Sequence, residues 1–220
     1  MSQTALVSMQ ERMKAELANM HNTVMAPSGR TISTKGKIFT FPDQKTTQGP
    51  ITGVILDHRN FNTYYTAAYN PQNPVPPKCF AISKDLNIKP HTDCTDPQNE
   101  TCKDCTWNKW GSAATGKGKA CRNQVKLAIA APDMTAGDEP LLIKISPTGL
   151  KSWAALVNGL ETLGLIPMQV ITEISFDANQ AYPTLIFKAG KAIEESQLET
   201  MWALREKAQV MLDQTPIGAE

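Results

Sequence analysis

The sequence lacks the features that would place it in several large classes. Charge of one sign is missing: Lys and Arg number 22, Asp and Glu 21, for a net charge of +1 over 220 residues. That excludes a histone-like, uniformly basic binder but leaves room for a local basic patch. No apolar run approaches the roughly 20 residues that span a bilayer, so no membrane partner is expected. The stretch from Met1 to Leu17 meets Glu11, Arg12 and Lys14 before any signal-like apolar segment develops. No secretory leader is expected, and the expected location is the cytoplasm. No internal repeat is visible. What remains is a chain that is 41% hydrophobic and 20% charged, long enough to bury a core without disulfide staples.

The elements follow from periodicity and punctuation. Leu6, Met9, Met13, Leu17 and Met20 recur at helical steps. Residues 1–33 therefore read as an N-terminal helix and linker. Ile38, Phe39 and Phe41 lie in a short apolar run that stops at Pro42. Ile51 to Leu56 reads as a strand bounded by Gly49-Pro50 and Asp57, and Thr63 to Tyr69 as another. Pro71, Pro74, Pro76 and Pro77 mark a loop. Strand patterns return at Val125 to Ala130 and Leu141 to Ile145. Ser146-Pro147 reads as the cap and first residue of a helix whose apolar face is Leu150, Trp153, Ala154, Val157, Leu160 and Leu163. Gly164 is its expected stop. Val170 to Phe176 and Pro183 to Lys188 read as a hairpin. A last helix spans about 194–213, with Leu198, Met201, Trp202, Leu204 and Met211 as its apolar residues. Several strands, a helix between the third and fourth, then a hairpin is the order of a small OB-fold-like barrel, with a sandwich as the alternative because the pattern of elements does not fix closure. The fold class expected is mainly β (α+β), with an OB-like domain over 34–192 and a C-terminal helix and tail over 193–220.

Residues 79–121 interrupt this pattern. They hold all five cysteines and are too polar to hold a shape by packing alone. Clustered cysteines in a reducing compartment read as metal ligands before disulfides. Cys102-Lys103-Asp104-Cys105 is a C-x2-C knuckle, and Cys121 follows after fifteen intervening residues. A fourth ligand must come from Cys79, Cys94 or His91. Structural, four-sulfur zinc is the leading reading; an iron–sulfur cluster and free thiols are the alternatives. Four sulfurs leave no open position for catalysis, and the H-x-E and P-C-x-x-C pieces of a zinc deaminase are missing.

Gly111 to Lys117 spells G-x4-G-K, but Gly118 stands where a P-loop needs Ser or Thr for magnesium. No nucleotide is expected there, although glycines and lysines can still approach a phosphate. From Cys105 to Pro132 there is no Asp or Glu, while Lys109, Lys117, Lys119, Arg122 and Lys126 fall in that window with Trp107 and Trp110. Tyr64, Tyr65 and Tyr69 lie on a candidate strand nearby. Aromatic platforms beside cations are what single-stranded nucleic acid requires: bases stack and phosphates are neutralised. Each residue alone has a blander reading, as core or solvated surface. Their joint occurrence beside the knuckle favours the nucleic-acid footprint. Arg59 is added to that set.

These residues also carry a family resemblance. Pro77-Lys78-Cys79-Phe80, then Cys102-x-x-Cys105-x-x-Asn108-x-Trp110-Gly111-Ser112, then Gly116-Lys117-Gly118-Lys119-Ala120-Cys121-Arg122-Asn123 resemble bacteriophage single-stranded DNA-binding proteins with a zinc-binding cysteine insertion. Leu141 to Leu150 and Tyr182 to Phe187 add to the likeness, which spans about residues 34–212. The resemblance implies an OB-like barrel, a role in replication or recombination, and location in a host cell's cytoplasm. It implies Cys79, Cys102, Cys105 and Cys121 as the ligands, with Cys94 or His91 the alternative for the fourth. It departs at the C-terminus: the chain ends with a single acid, Glu220, rather than an acidic tail. Self-association along the strand is a further expected contact.

Two other readings compete. Asp57-His58-Arg59-Asn60 offers a nuclease a general base, but no carboxylate pair at metal-ligand spacing accompanies it. A protein-interaction module, with zinc fixing a loop and terminal helices meeting a partner, is the other.

Overall fold

A computed structural model describes residues 30–67, 70, 72 and 75–215. The expected N-terminal helix and Tyr69 lie outside the described residues. In chain order the elements are β1 (Thr31–Ile32), β2 (Phe39–Thr40), β3 (Thr46–Thr47), β4 (Ile51–Tyr64), β5 (Cys79–Ser83), β6 (Cys121–Ala130), β7 (Leu141–Ile145), α1 (Leu150–Glu161), β8 (Val170–Phe176), β9 (Leu185–Ala192) and α2 (Glu195–Leu212). The protein is mainly β: among the described residues it has one curled sheet of seven strands and two helices. The sheet runs β1-β7-β6-β4-β8-β9, with β5 also paired to β4; β2 and β3 form a separate hairpin. Among the described residues no helix is long and apolar enough to cross a membrane.

β4 organises the sheet. Residues 51–54 pair with β8, residues 60–64 pair with β5, and nearly the whole strand pairs antiparallel with β6. The sequence suggested two strands here, Ile51 to Leu56 and Thr63 to Tyr69, with 57–62 between them; residues 65–67 are not strand. The structure has one strand of fourteen residues with a bulge between Ile55 and Asp57. The extra residue bends the strand and resets which side chains share a face. Beyond it, His58, Asn60, Asn62 and Tyr64 point to one side and Asp57, Arg59, Phe61 and Thr63 to the other, by the two-residue period.

Each face has its own core. Ile51, Ile55, Val125, Leu127, Ile129, Ile143, Ile145 and Ile174 pack with Trp153, Leu156 and Leu160 of α1. On the opposite face Val54, Leu56, Ala128 and Ala130 pack with Met201, Leu204, Ala208 and Leu212 of α2. A sheet covered on both faces buries its apolar residues without alternation, as the pattern over 125–130 shows. Both helices bury most of the face the sequence suggested, Leu150, Trp153, Val157 and Leu160 on α1 and Met201 and Leu204 on α2, with exceptions at the margins. Leu163 is 71% exposed and Ala154 is exposed, while Leu156 is buried. On α2, Trp202 is 51% exposed, while Ala208 and Leu212 are buried. Ser146 caps nothing through its side chain; its hydroxyl meets Thr148 and the Pro183 carbonyl, and Pro147–Gly149 is a 3-10 turn ahead of α1. Gly164 does end the α1 region, at φ +68°, where other residues are strained.

Candidate functional site

The far end of β4 carries the cysteines. Register places Tyr64 opposite Cys79 on one side and Cys121 on the other, so all three side chains share a face. Asn62, two residues back, accepts a 2.9 Å hydrogen bond from the Asn123 side chain. The segment 84–120 folds over this floor. It is irregular apart from a 3-10 turn at Thr106–Asn108. The expected insertion therefore begins and ends inside the sheet: β5 opens it and Cys121 starts β6.

The fold of the segment follows from its small polar residues. The Asn108 side chain donates to the Cys102 carbonyl at 2.6 Å, tying off the knuckle. The Ser112 hydroxyl meets the Trp107 and Lys109 carbonyls and accepts from the Ala120 amide. Gly111 donates to the Gly118 carbonyl at 2.8 Å, with φ +88° at both glycines. The glycine-lysine turn is thus closed on itself. The amides of Gly111, Ala113 and Gly116 already have acceptors within the loop, so it offers a phosphate lysine charge rather than a nest of amides.

Trp107 stacks on Tyr64, ring centres 4.8 Å apart and 16° from parallel. Under that stack lies a cavity of about 20 Å³, lined by Cys79, Cys102, Cys105, Cys121, Tyr64 and Trp107 among others. The volume suits one water or an ion, not an organic ligand. Burial, and then the neighbouring thiols Cys102, Cys105 and Cys79, push the Cys121 thiol up to about 12. Burial chiefly pushes Cys79 up to about 11, with Cys94 and Cys102 adding to it. All five cysteines are free thiols. Donor type and number fit a soft divalent cation. Yet among the described residues no group of three or more His, Cys, Asp or Glu is drawn together tightly enough to hold one. His91 turns elsewhere: its ring stacks on Phe80 and its Nδ1 accepts from the Asp93 amide. Cys94 lies against Cys79 and reaches the Lys78 carbonyl at 3.9 Å.

The residues expected to meet nucleic acid divide into two groups. Trp107, Lys109, Trp110, Lys117 and Lys119 sit on the cysteine-held loop and are exposed, Trp110 at 80%. Lys119 is anchored by the Asn108 and Asn123 side-chain oxygens, at 3.1 and 2.9 Å. Tyr64, expected as an exposed platform, is buried beneath Trp107. The second group lies on the opposite, α2 face. Arg122 is exposed, with its guanidinium 6.0 Å from the ring centre of half-buried Tyr65. Lys126 is 7% exposed, its ammonium 4.3 Å from the Phe61 ring centre and 3.3 Å from the Gln214 carbonyl. Arg59 is also 7% exposed; its Nε and Nη2 hold both oxygens of Asp213, at 2.7 and 3.0 Å. Arg59 and Lys126 are thus covered by the end of α2, whose partners lie too far along the chain for the sequence to reveal.

Two residues of this face escaped the sequence reading. Lys144 pairs with Lys126 in register and lies 5.6 Å from the same ring. Phe61 falls between the two expected strands, 51–56 and 63–69. Burial chiefly lowers both lysines to about 8, and for Lys144 the Lys126 charge adds to it. The signal available was alternation: Arg59, Phe61 and Thr63 share one face of any unbroken strand.

The catalytic alternative meets a different environment. Asp57 accepts from Gln209 Nε2 and from the His58 amide, both at 2.9 Å, with Arg205 at 3.4 Å. Burial raises its carboxyl, and these donors and charges outweigh it, so its pKa lies below the ordinary value. His58 faces the other way, against Trp153, and burial lowers its pKa. The carboxylate is engaged in holding α2.

No protein-family model, curated protein or solved structure matches this chain. The resemblance to phage proteins therefore stands on the sequence motifs alone.

Proposed function

We propose that the protein is a non-enzymatic binder of single-stranded DNA with little sequence preference. One observation carries the reading: an indole left 80% exposed at Trp110 on a loop where Lys109, Lys117 and Lys119 are exposed and no acid occurs from Cys105 to Pro132. An exposed ring among cations stacks a base and neutralises the flanking phosphates. The sheet supports an OB-like reading: β4, β6 and β7 form a meander, α1 follows, and β8 and β9 form a hairpin with β8 back on β4. The order fits a barrel left open between β1 and β9. A role in phage replication or recombination rests on the motif resemblance.

Zinc belongs to the same reading. Cys79, Cys102, Cys105 and Cys121 would hold it, with Cys94 the spare thiol beside Cys79 and His91 the remaining alternative. A bound cation would ionise thiols that burial keeps protonated, and would fasten the loop to the sheet.

The test is fluorescence anisotropy with labelled dT oligonucleotide and its duplex, at two salt concentrations. Tighter binding to the single strand is expected, falling steeply with salt. Lys117→Glu with Lys119→Glu is expected to weaken it at an almost unchanged thermal midpoint, and Trp110→Ala to remove about 1–3 kcal/mol. Salt-independent binding, or full affinity in a folded double variant, would refute the assignment.

A further inference from the structure

Phe61 is buried at 3% exposure, yet it belongs to neither apolar core. What lies over its ring are two ammonium groups, those of Lys126 and Lys144. Along β4 and β6 the same face continues outward to Tyr65 and Arg122 and inward to Arg59. Aromatic and cationic side chains thus share one strip of the sheet.

Among the described residues, little covers the inner end of that strip. Leu212 is fully buried and is the last apolar anchor of α2. Asp213 and Gln214, beyond it, are exposed. They stay down through the Asp213 carboxylate on Arg59 and the Gln214 carbonyl on Lys126. A carboxylate gripped by two guanidinium nitrogens and a carbonyl oxygen on an ammonium are the contacts that phosphate oxygens make with arginine and lysine. Asp57, also beside Arg59, is committed to Gln209 and Arg205.

Resting on the binding function above, we propose that Asp213 and Gln214 occupy a phosphate site formed by Arg59, Lys126 and Lys144 around Phe61, and that single-stranded DNA displaces them to use it. Only the residues after Leu212 need to move, so the α2 core stays in place. The strand would run from Tyr65 and Arg122 over Phe61, exchanging one set of oxygens for another. Lys126, held beside a second ammonium against one ring in a poorly solvated place, gains more from a phosphate than from the neutral Gln214 carbonyl.

The experiment uses the full chain with Asp213→Ala, titrated with labelled dT oligonucleotide across a salt series. The variant is expected to bind several-fold more tightly than the parent, because the competing carboxylate is gone. In the otherwise unchanged chain, Lys144→Met is expected to weaken binding and to flatten the plot of log affinity against log salt by about 0.7, the share of one phosphate on a single strand. Circular dichroism checks that α2 is retained. Parent-like affinity in a helical Asp213→Ala, or a parent-like salt slope in Lys144→Met, would overturn the masked site while leaving the parent's binding in place. If Asp213→Ala loses helix, Lys144→Met decides alone. If no form of the chain binds the oligonucleotide, the binding function falls and this site with it. Binding by Asp213→Ala alone supports the masked site most directly.

Discussion

Asp57 shows how little a residue's type says about its use. In the sequence it reads as a strand terminator, or as a base in an acid–histidine pair. In the fold it is a buried carboxylate whose acceptor capacity is filled from α2, with Gln209 donating from 152 residues away. Its pKa is lowered, so the sign of its pH effect is settled. Its contribution is complete above about pH 4, the unfolded range, and is lost as pH falls through the folded value. Asp57→Ala leaves Arg205 and Gln209 without their acceptor and is expected to cost about 3 kcal/mol in urea unfolding at pH 7. The gap between parent and variant should shrink as pH is lowered below 4; an equal gap at all pH values would mean that the charge is not what stabilises. The same distance problem hid Arg59 and Lys126. Both are basic and near aromatics in sequence, and only the partner from the other end of the chain shows that they are covered.

Among elements, the cysteine segment was the most legible and the longest strand the least. Residues 79–121 were expected to be mostly irregular because their composition cannot build a core; 84–120 are irregular apart from one 3-10 turn, while 79–83 form β5 and Cys121 opens β6. Cys79, Cys102, Cys105 and Cys121, expected as one ligand set, line one cavity, although among the described residues no such group is drawn together tightly enough to hold a metal. Cys79 and Cys121 meet there because β5 and β6 are the two neighbours of β4, which spacing along the chain does not reveal. On the zinc reading, metal analysis is expected to find one zinc per chain. Chelation is then expected to make 84–120 the first site of proteolysis, with the far-ultraviolet signal of the sheet largely kept. Proteolysis unchanged by a chelator would set zinc aside as the fastener. The split of β4 into two expected strands has a different cause. Asp57 and His58 interrupt the apolar run, and a β-bulge that lets a strand continue past them has no sequence signature independent of its partner strand.

At the scale of the molecule, one sheet separates two cores, and each helix closes one. Leu204 is completely buried in the α2 core, so Leu204→Ala is expected to cost about 2–5 kcal/mol. Because Val54, Leu56 and Ala128 of the same core are sheet residues, unfolding should remain a single transition by fluorescence and circular dichroism. A separate early loss of helix would show that α2 is only loosely attached. The sequence by itself determined the mainly β composition, the hairpin at 170–188, the helix after Ser146, the final helix, the irregular cysteine segment and the acid-free basic window. All of these are written in local period, turn chemistry or composition, which neighbouring residues carry. The tertiary structure alone decided the bulge, the placing of Cys79 and Cys121 on the two neighbours of one strand, and the division of the cations between an open loop and a covered sheet face. Those depend on contacts between residues up to about 150 positions apart, whose register and direction no local pattern encodes.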